Sequence, residues 1–214
     1  KKIIVTGCNG QLGRAVNKLY AGDNTFEFVN TDVGELDITS IDRVMELARE
    51  IKPYAIINCA AHTAVDACET EGDRAYKINA IGARNLSIAA SETGAKLVHI
   101  STDYVFDGKG TRPYTEFDPT GPQGMYGLTK LAGENFVKDF ADRYFIIRTA
   151  WLYGDGKNFV KTMLKLSETH EKVRVVKDQV GSPTSADELA KAIAYLLPTE
   201  NYGLFHGTCE GDCS

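Results

Sequence analysis

The chain has 214 residues, 43% of them hydrophobic and 25% charged, and 24 Lys+Arg stand against 29 Asp+Glu for a formal net charge of −5. That length buries a substantial core as one large domain or two small ones, and the composition excludes intrinsic disorder and low-complexity function. Mild acidity gives no electrostatic basis for binding nucleic acid or an anionic membrane, and no apolar run approaches the roughly 18 residues of a membrane span.

Short β-branched runs alternate with longer segments of helical period. Lys2–Thr6 (KIIVT) reads as a buried strand with no signal peptide before it. A Gly-rich turn follows, then a helix over Gln11–Tyr20 and a strand over Phe26–Asn30. Thr39-Ser40 caps a helix through Ile51, with Ile41, Val44, Leu47, Ala48 and Ile51 on one face and Pro53 as its stop. Ala55–Cys59 is predicted as strand, Gly72–Thr93 as one helix closed by Gly94, and Lys96–Ser101 as strand. Helices are expected over Tyr126–Phe140, Asn158–Thr169 and Ala186–Leu197, and strands over Tyr144–Thr149 and Val173–Val176. This alternation predicts an α/β fold, a doubly wound parallel sheet of Rossmann-like type with helices on both faces. The connection from Asp103 to Gly124 is too long for a simple turn, and loops of that size tend to be functional.

Gly7-Cys8-Asn9-Gly10-Gln11-Leu12-Gly13 has the form G-x-x-G-x-x-G between a strand and a helix. Glycines there permit a tight turn and close approach to a pyrophosphate, whose charge then lies on the helix N-terminus. Three glycines alone need mean no more than a turn. The flanking elements, and Asp32 at the end of the second strand, favour a dinucleotide. A carboxylate at Asp32 suits the ribose hydroxyls of NADH and repels a 2′-phosphate, although Arg14 beside Gly13 leaves NADPH open.

Tyr126 and Lys130 stand at i and i+4, on one face of a helix. On a surface helix such a pair is commonplace. Beside a dinucleotide turn and a strand ending in Ser101-Thr102-Asp103, it suggests a phenol whose pKa the ammonium lowers toward working pH, and a hydroxyl that orients a carbonyl.

These three motifs resemble the extended short-chain dehydrogenase/reductase superfamily. Finer strings narrow the resemblance: Cys59-Ala60-Ala61-His62-Thr63-Ala64-Val65-Asp66, Ser101-Thr102-Asp103-Tyr104-Val105-Phe106-Asp107-Gly108, Arg148-Thr149-Ala150-Trp151-Leu152-Tyr153-Gly154 and Asp178-Gln179-Val180-Gly181-Ser182-Pro183-Thr184. Over essentially the whole chain they are similar to the dTDP-4-dehydrorhamnose reductase family. The resemblance implies that Tyr126 protonates the C4 keto oxygen of a sugar nucleotide, with Lys130 on the nicotinamide ribose and Thr102 completing the carbonyl site. It implies that Gly7, Gly10, Gln11, Leu12 and Gly13 hold the pyrophosphate, Asp32 the adenosine ribose, and Asp37 and Ile38 the adenine. Ala60, Ala61, His62 and Thr63 would line the coenzyme channel, and Thr102, Asp103, Val65 and Trp151 would contact substrate. The implied coenzyme is NADH or NADPH, with NADH preferred. The implied partner is a small-molecule sugar nucleotide, with no metal, bound by a monomer or homodimer.

The related 4,6-dehydratases carry Thr-Asp-Glu where this chain has Thr102-Asp103-Tyr104, so the base for elimination is absent and ketone reduction remains. A dinucleotide-binding regulator without activity, or an epimerase, is the alternative; regulators commonly lose the Tyr or Lys kept here. The dinucleotide domain is expected over residues 1–150. Residues 151–214 are expected to be a partial substrate lobe plus the last sheet elements, because the family pattern continues beyond Ser214. Four scattered histidines have no metal-ligand spacing, and His99 reads as a satisfied structural residue. Five irregularly spaced cysteines suit a reducing, cytoplasmic setting.

Overall fold

Aliphatic and β-branched residues on successive strands can be buried on both faces only if helices cover both sides of a sheet. The computed structural model, which describes residues 1–214, has that arrangement. Six strands, β1 (Lys2–Thr6), β2 (Glu27–Thr31), β3 (Ala55–Asn58), β4 (Lys96–Thr102), β5 (Tyr144–Thr149) and β8 (Gly203–His206), form a sheet in the order β2-β1-β3-β4-β5-β8. Every pairing in it is parallel. The fold is the doubly wound α/β fold expected from the sequence.

Alternate residues divide the core. Ile4, Ile56, Leu97 and Ile146 face α2 (Ile41–Ile51), α5 (Gly82–Thr93) and α6 (Met125–Phe140). Ile3, Val5, Ile57, Val98, Phe145 and Ile147 pack instead on α1 (Gln11–Leu19) and α8 (Ala186–Leu196). Two short strands, β6 (Leu152–Tyr153) and β7 (Thr184–Ser185), pair in parallel on either side of α7 (Phe159–Ser167).

The structure departs from expectation in three places. The helix expected over Gly72–Thr93 is segmented: α4 (Gly72–Tyr76) gives way to a π-helical turn over Lys77–Ile81 before α5, and a further helix, α3 (Val65–Thr70), precedes it. Val173–Val176 is not a strand. Val175 and Val176 are more than half exposed, because no neighbouring strand lies within pairing reach of their β-branched backbone. The sixth sheet strand comes instead from Gly203–His206, whose register against Phe145–Arg148 closes the edge. As expected, α2 runs through Ile51, and Lys52 in the left-handed region (φ 49) ends it one residue ahead of Pro53.

The strand order reverses at β1 and β3. A ligand crevice therefore opens beyond the C-terminal ends of these strands, bounded by the turn after β1, the loop after β3 and the end of β4.

Candidate active site

The turn after β1 is built for glycine. Gly7 takes φ +64, and a Cβ there would lie 2.8 Å from the Ala60 backbone across the crevice. A Cβ on Gly13 would lie 2.5 Å from the Gly7 carbonyl, so the first turn of α1 can approach β1 only without side chains. Gly10 caps α1 with no side-chain acceptor, and no acidic residue stands in the first turn. Its leading N–H groups are thus left for an anion. Leu12 and Gly13 are buried, so they offer only backbone to such a ligand.

Asp32 leans over this turn: its carboxylate accepts from the N–H of Asn9 (3.2 Å) and of Val33 (2.8 Å). Asp37 is exposed and caps its own loop through Thr39, whereas the Ile38 side chain is buried in the core against Gly82. Cys8 lies in the same turn. Burial, with the charges of Asp32 and Glu35, pushes its thiol pKa up.

The loop after β3 carries Ala60, Ala61, His62 and Thr63. Its anchor is Asn79, buried in the π-helical turn and invisible to sequence reasoning except as an unexplained polar residue in an apolar helix. Asn79 accepts from the His62 N–H (2.8 Å) and donates to the His62 carbonyl (3.1 Å) and to Thr129 Oγ1 on α6 (3.1 Å). One side chain thereby ties the crevice wall to the helix of the Tyr–Lys pair. Below it, Thr6 donates to Asn58 Oδ1 (2.8 Å), and Asn58 Nδ2 donates to His99 Nδ1 (3.0 Å). His99 is held neutral by burial, with Nε2 left unpartnered, so it is only half satisfied.

The structure brings Thr102, Tyr126 and Lys130 together. Thr102 ends β4; its hydroxyl donates to Asp103 Oδ1 (2.9 Å) and accepts from the Tyr104 N–H (3.2 Å). The Tyr126 phenol lies near Thr102, whose hydroxyl eases its ionisation by less than burial opposes it. Lys130, one helical turn along α6, is 2% exposed and donates to the Ile100 carbonyl (2.6 Å). Here the electrostatics differ from expectation. Burial raises the Tyr126 pKa and pulls that of Lys130 from 10.5 down to about 8, since each charged form loses water. Lys130 does not offset this at the phenol, because its ammonium is engaged by the β4 backbone.

A second anchor lies one turn further along the same face. Glu134, fully buried, accepts from Ser101 Oγ (2.6 Å) and from Nε and Nη2 of Arg148 on β5 (2.8 and 2.7 Å). The Arg148 guanidinium sits 4.9 Å over the Phe106 ring, which stacks on Tyr114 and so pins the long connection after β4. Its signal was the i+8 spacing from Tyr126, but a charged residue on a helix ordinarily reads as surface.

Around these groups, Tyr104 meets Tyr126 edge-on, with ring centroids 5.5 Å apart. Asp103 has its carboxyl pKa raised by burial. Val65 opens α3, half-buried, and α3 packs against α6. Trp151 lies in the left-handed region (φ 44), a strained backbone for an indole-bearing residue, and its ring covers Gly181, where a Cβ would come within 2.7 Å. No group of three or more His, Cys, Asp or Glu is placed to hold a metal ion.

A family model described as the RmlD substrate binding domain matches residues 1–214. A dTDP-4-dehydrorhamnose reductase of Streptomyces griseus is 43% identical over 216 residues, which cover 97% of this chain and 70% of that protein. The crystal structure of a dTDP-4-dehydrorhamnose reductase of Clostridium acetobutylicum superposes with a TM-score of 0.98 at 56% identity, covering 100% of this chain and 76% of that one. A dTDP-4-dehydrorhamnose reductase of Bacillus anthracis, solved in complex with NADP, gives 0.96 at 47% identity with the same coverage. The chain therefore belongs to the RmlD substrate binding domain family, the family of the dTDP-4-dehydrorhamnose reductases.

Proposed function

We propose that the protein reduces the C4 ketone of dTDP-4-dehydro-L-rhamnose to dTDP-L-rhamnose with NAD(P)H. The observation that carries this reading is the convergence of Thr102, Tyr126 and Lys130 at the end of β4, beside the glycine turn.

The residues fit a dinucleotide. Gly7 and Gly13 let the turn pack against the Ala60 and Cys8 backbone where any Cβ would clash, and the uncapped start of α1 presents N–H donors at Gln11, Leu12 and Gly13. Gly7, Gly10, Gln11, Leu12 and Gly13 would hold its diphosphate and Asp32 a ribose. Asp37 and the Ile38 backbone would border the adenine, with Ala60, Ala61, His62 and Thr63 along the channel. When bound, reduced nicotinamide supplies a hydride. The chain's own work is at the oxygen. Tyr126 gives its proton to the carbonyl oxygen as negative charge develops there, and a phenol kept protonated by burial is ready to donate. Lys130 would hold the nicotinamide ribose, and Thr102, backed by Asp103, aligns the oxygen. Val65 and Trp151 bound the sugar with apolar surface.

The fixed carboxylate of Asp32 supports NADH over NADPH, since a 2′-phosphate would meet its charge. Residues 1–150 form the dinucleotide part and 151–214 a substrate lobe with the last sheet elements. The free cysteines support a cytoplasmic location, where the protein works as a monomer or homodimer on a small sugar nucleotide. No helix is long and apolar enough to cross a membrane.

The test is the loss of the near-ultraviolet absorbance of reduced nicotinamide on adding dTDP-4-keto-6-deoxy-L-mannose, measured with NADH and NADPH in parallel. Loss that depends on this ketone supports the reading; none with either coenzyme refutes it.

A further inference from the structure

Between β6 and α7 the chain folds back onto the first turn of α1. The docking is specific: Arg14 donates to the Asp155 carbonyl, Gly156 takes φ +114 against the Arg14 guanidinium, and Gly154 faces Ala186 and Gln11 with no room for a Cβ. At its centre is Asn158, the N-cap of α7. Its Oδ1 accepts from the Lys161 N–H (3.0 Å), and its Nδ2 donates to the Gly154 carbonyl (2.9 Å) and to Gln11 Oε1 (3.1 Å).

These partners fix a polarity. A backbone N–H on one side and a backbone carbonyl on the other leave the Asn158 amide a single orientation, with the nitrogen toward Gln11. Gln11 must then turn its oxygen to Asn158, which leaves the two N–H donors of its Nε2 pointing away from Asn158. Those donors belong to the first residue of α1, where the backbone N–H groups are also open and no acidic side chain competes. Left alone, a Gln side chain samples many rotamers, and ordering it with its N–H donors toward an anion costs conformational entropy that a fixed side chain does not lose on binding.

We infer that Asn158 is a positioning residue for the coenzyme: it orients the Gln11 amide so that its N–H donors serve the dinucleotide diphosphate. This rests on the reading of the glycine turn as a dinucleotide site. The same contact makes α7 sense that site, because the side chain that orients Gln11 also caps the helix. Diphosphate binding and the ordering of α7 are thereby coupled through one amide.

The experiment measures NADH and NADPH dissociation constants by fluorescence titration of the full-length protein, with circular dichroism checking the fold. Asn158→Ser keeps a neutral N-cap acceptor for Lys161 but is too short to reach Gln11. It should weaken both coenzymes about tenfold, and by less than about twofold when made in a Gln11→Ala background. Should the serine variant fail to fold, Asn158→Asp preserves shape and cap while replacing the donor with an acceptor, and the same comparison applies. Unchanged affinity, or an equal loss with and without Gln11, overturns the inference. A wild-type protein that binds neither coenzyme overturns the dinucleotide reading instead, and this inference with it.

Discussion

Removing the carboxylate of Glu134 should cost the protein stability and displace the helix that bears its phenol. Glu134 is fully buried and holds three charge-assisted or hydroxyl hydrogen bonds, from Ser101 on β4 and from two nitrogens of Arg148 on β5. In Glu134→Ala the guanidinium stays buried at 4% exposure over the face of Phe106 without the carboxylate that binds it, and its Nη1 already lacks a partner. Breaking one side of a buried pair costs about 3–5 kcal/mol, and the orphaned guanidinium puts this case in the upper half, about 4–5 kcal/mol. For a chain of this length that lowers Tm by roughly 8–20 °C. Thermal unfolding followed by circular dichroism reads it directly. Glu134→Leu combined with Arg148→Met, which removes both charges, should recover most of the loss. A Tm for Glu134→Ala within roughly 2 °C of wild type, or a double variant as unstable as the single one, would refute the reasoning.

Four further outcomes follow from the site. Lys130 has a folded pKa of about 8 against 10.5 for the free side chain, so its ammonium is lost early and the alkaline limb of kcat/KM should fall near pH 8; a profile flat to about pH 10 contradicts this. Between those two pKa values the unfolded chain binds the extra proton, so this group destabilises the fold fully below about pH 8 and progressively less as pH rises toward 10.5. Asp32→Ala should weaken NADH more than NADPH in a titration, and the reverse order removes the proposed preference. Gly127→Ala pushes a methyl into the Tyr104 carbonyl and to 2.9 Å from Pro122 Cβ, so α6 must shift away from the turn that follows β4. It should cost about 1–3 kcal/mol and slow turnover at least tenfold; normal turnover would mean that Tyr126 tolerates such a shift.

Much of the site was legible because its chemistry follows local spacing. Gly7, Gly10 and Gly13 mark a strand-to-helix turn, Tyr126 and Lys130 share a helical face, and Thr102 ends an apolar strand. What escaped depends on partners far along the chain. Glu134 and Arg148 look like surface charges until β5 places them together, Asn79 acts only because the helix widens into a π turn, and Asn158 meets Gln11 across 147 residues. Val173–Val176 shows the converse: β-branched residues without a neighbouring strand remain exposed loop. The expected acidic phenol failed for a similar reason. Spacing put Lys130 beside Tyr126, but only the folded sheet shows that the ammonium is held by the Ile100 carbonyl and that burial dominates both groups.

The account stands or falls on the proton that Tyr126 delivers. Single-turnover oxidation of bound NADH by dTDP-4-keto-6-deoxy-L-mannose, followed in wild type and in Tyr126→Phe, measures that step alone. The account predicts coenzyme binding within about threefold of wild type and a rate lower by a factor on the order of 10²–10⁴. A phenylalanine variant that oxidises NADH as fast as the native protein would contradict it.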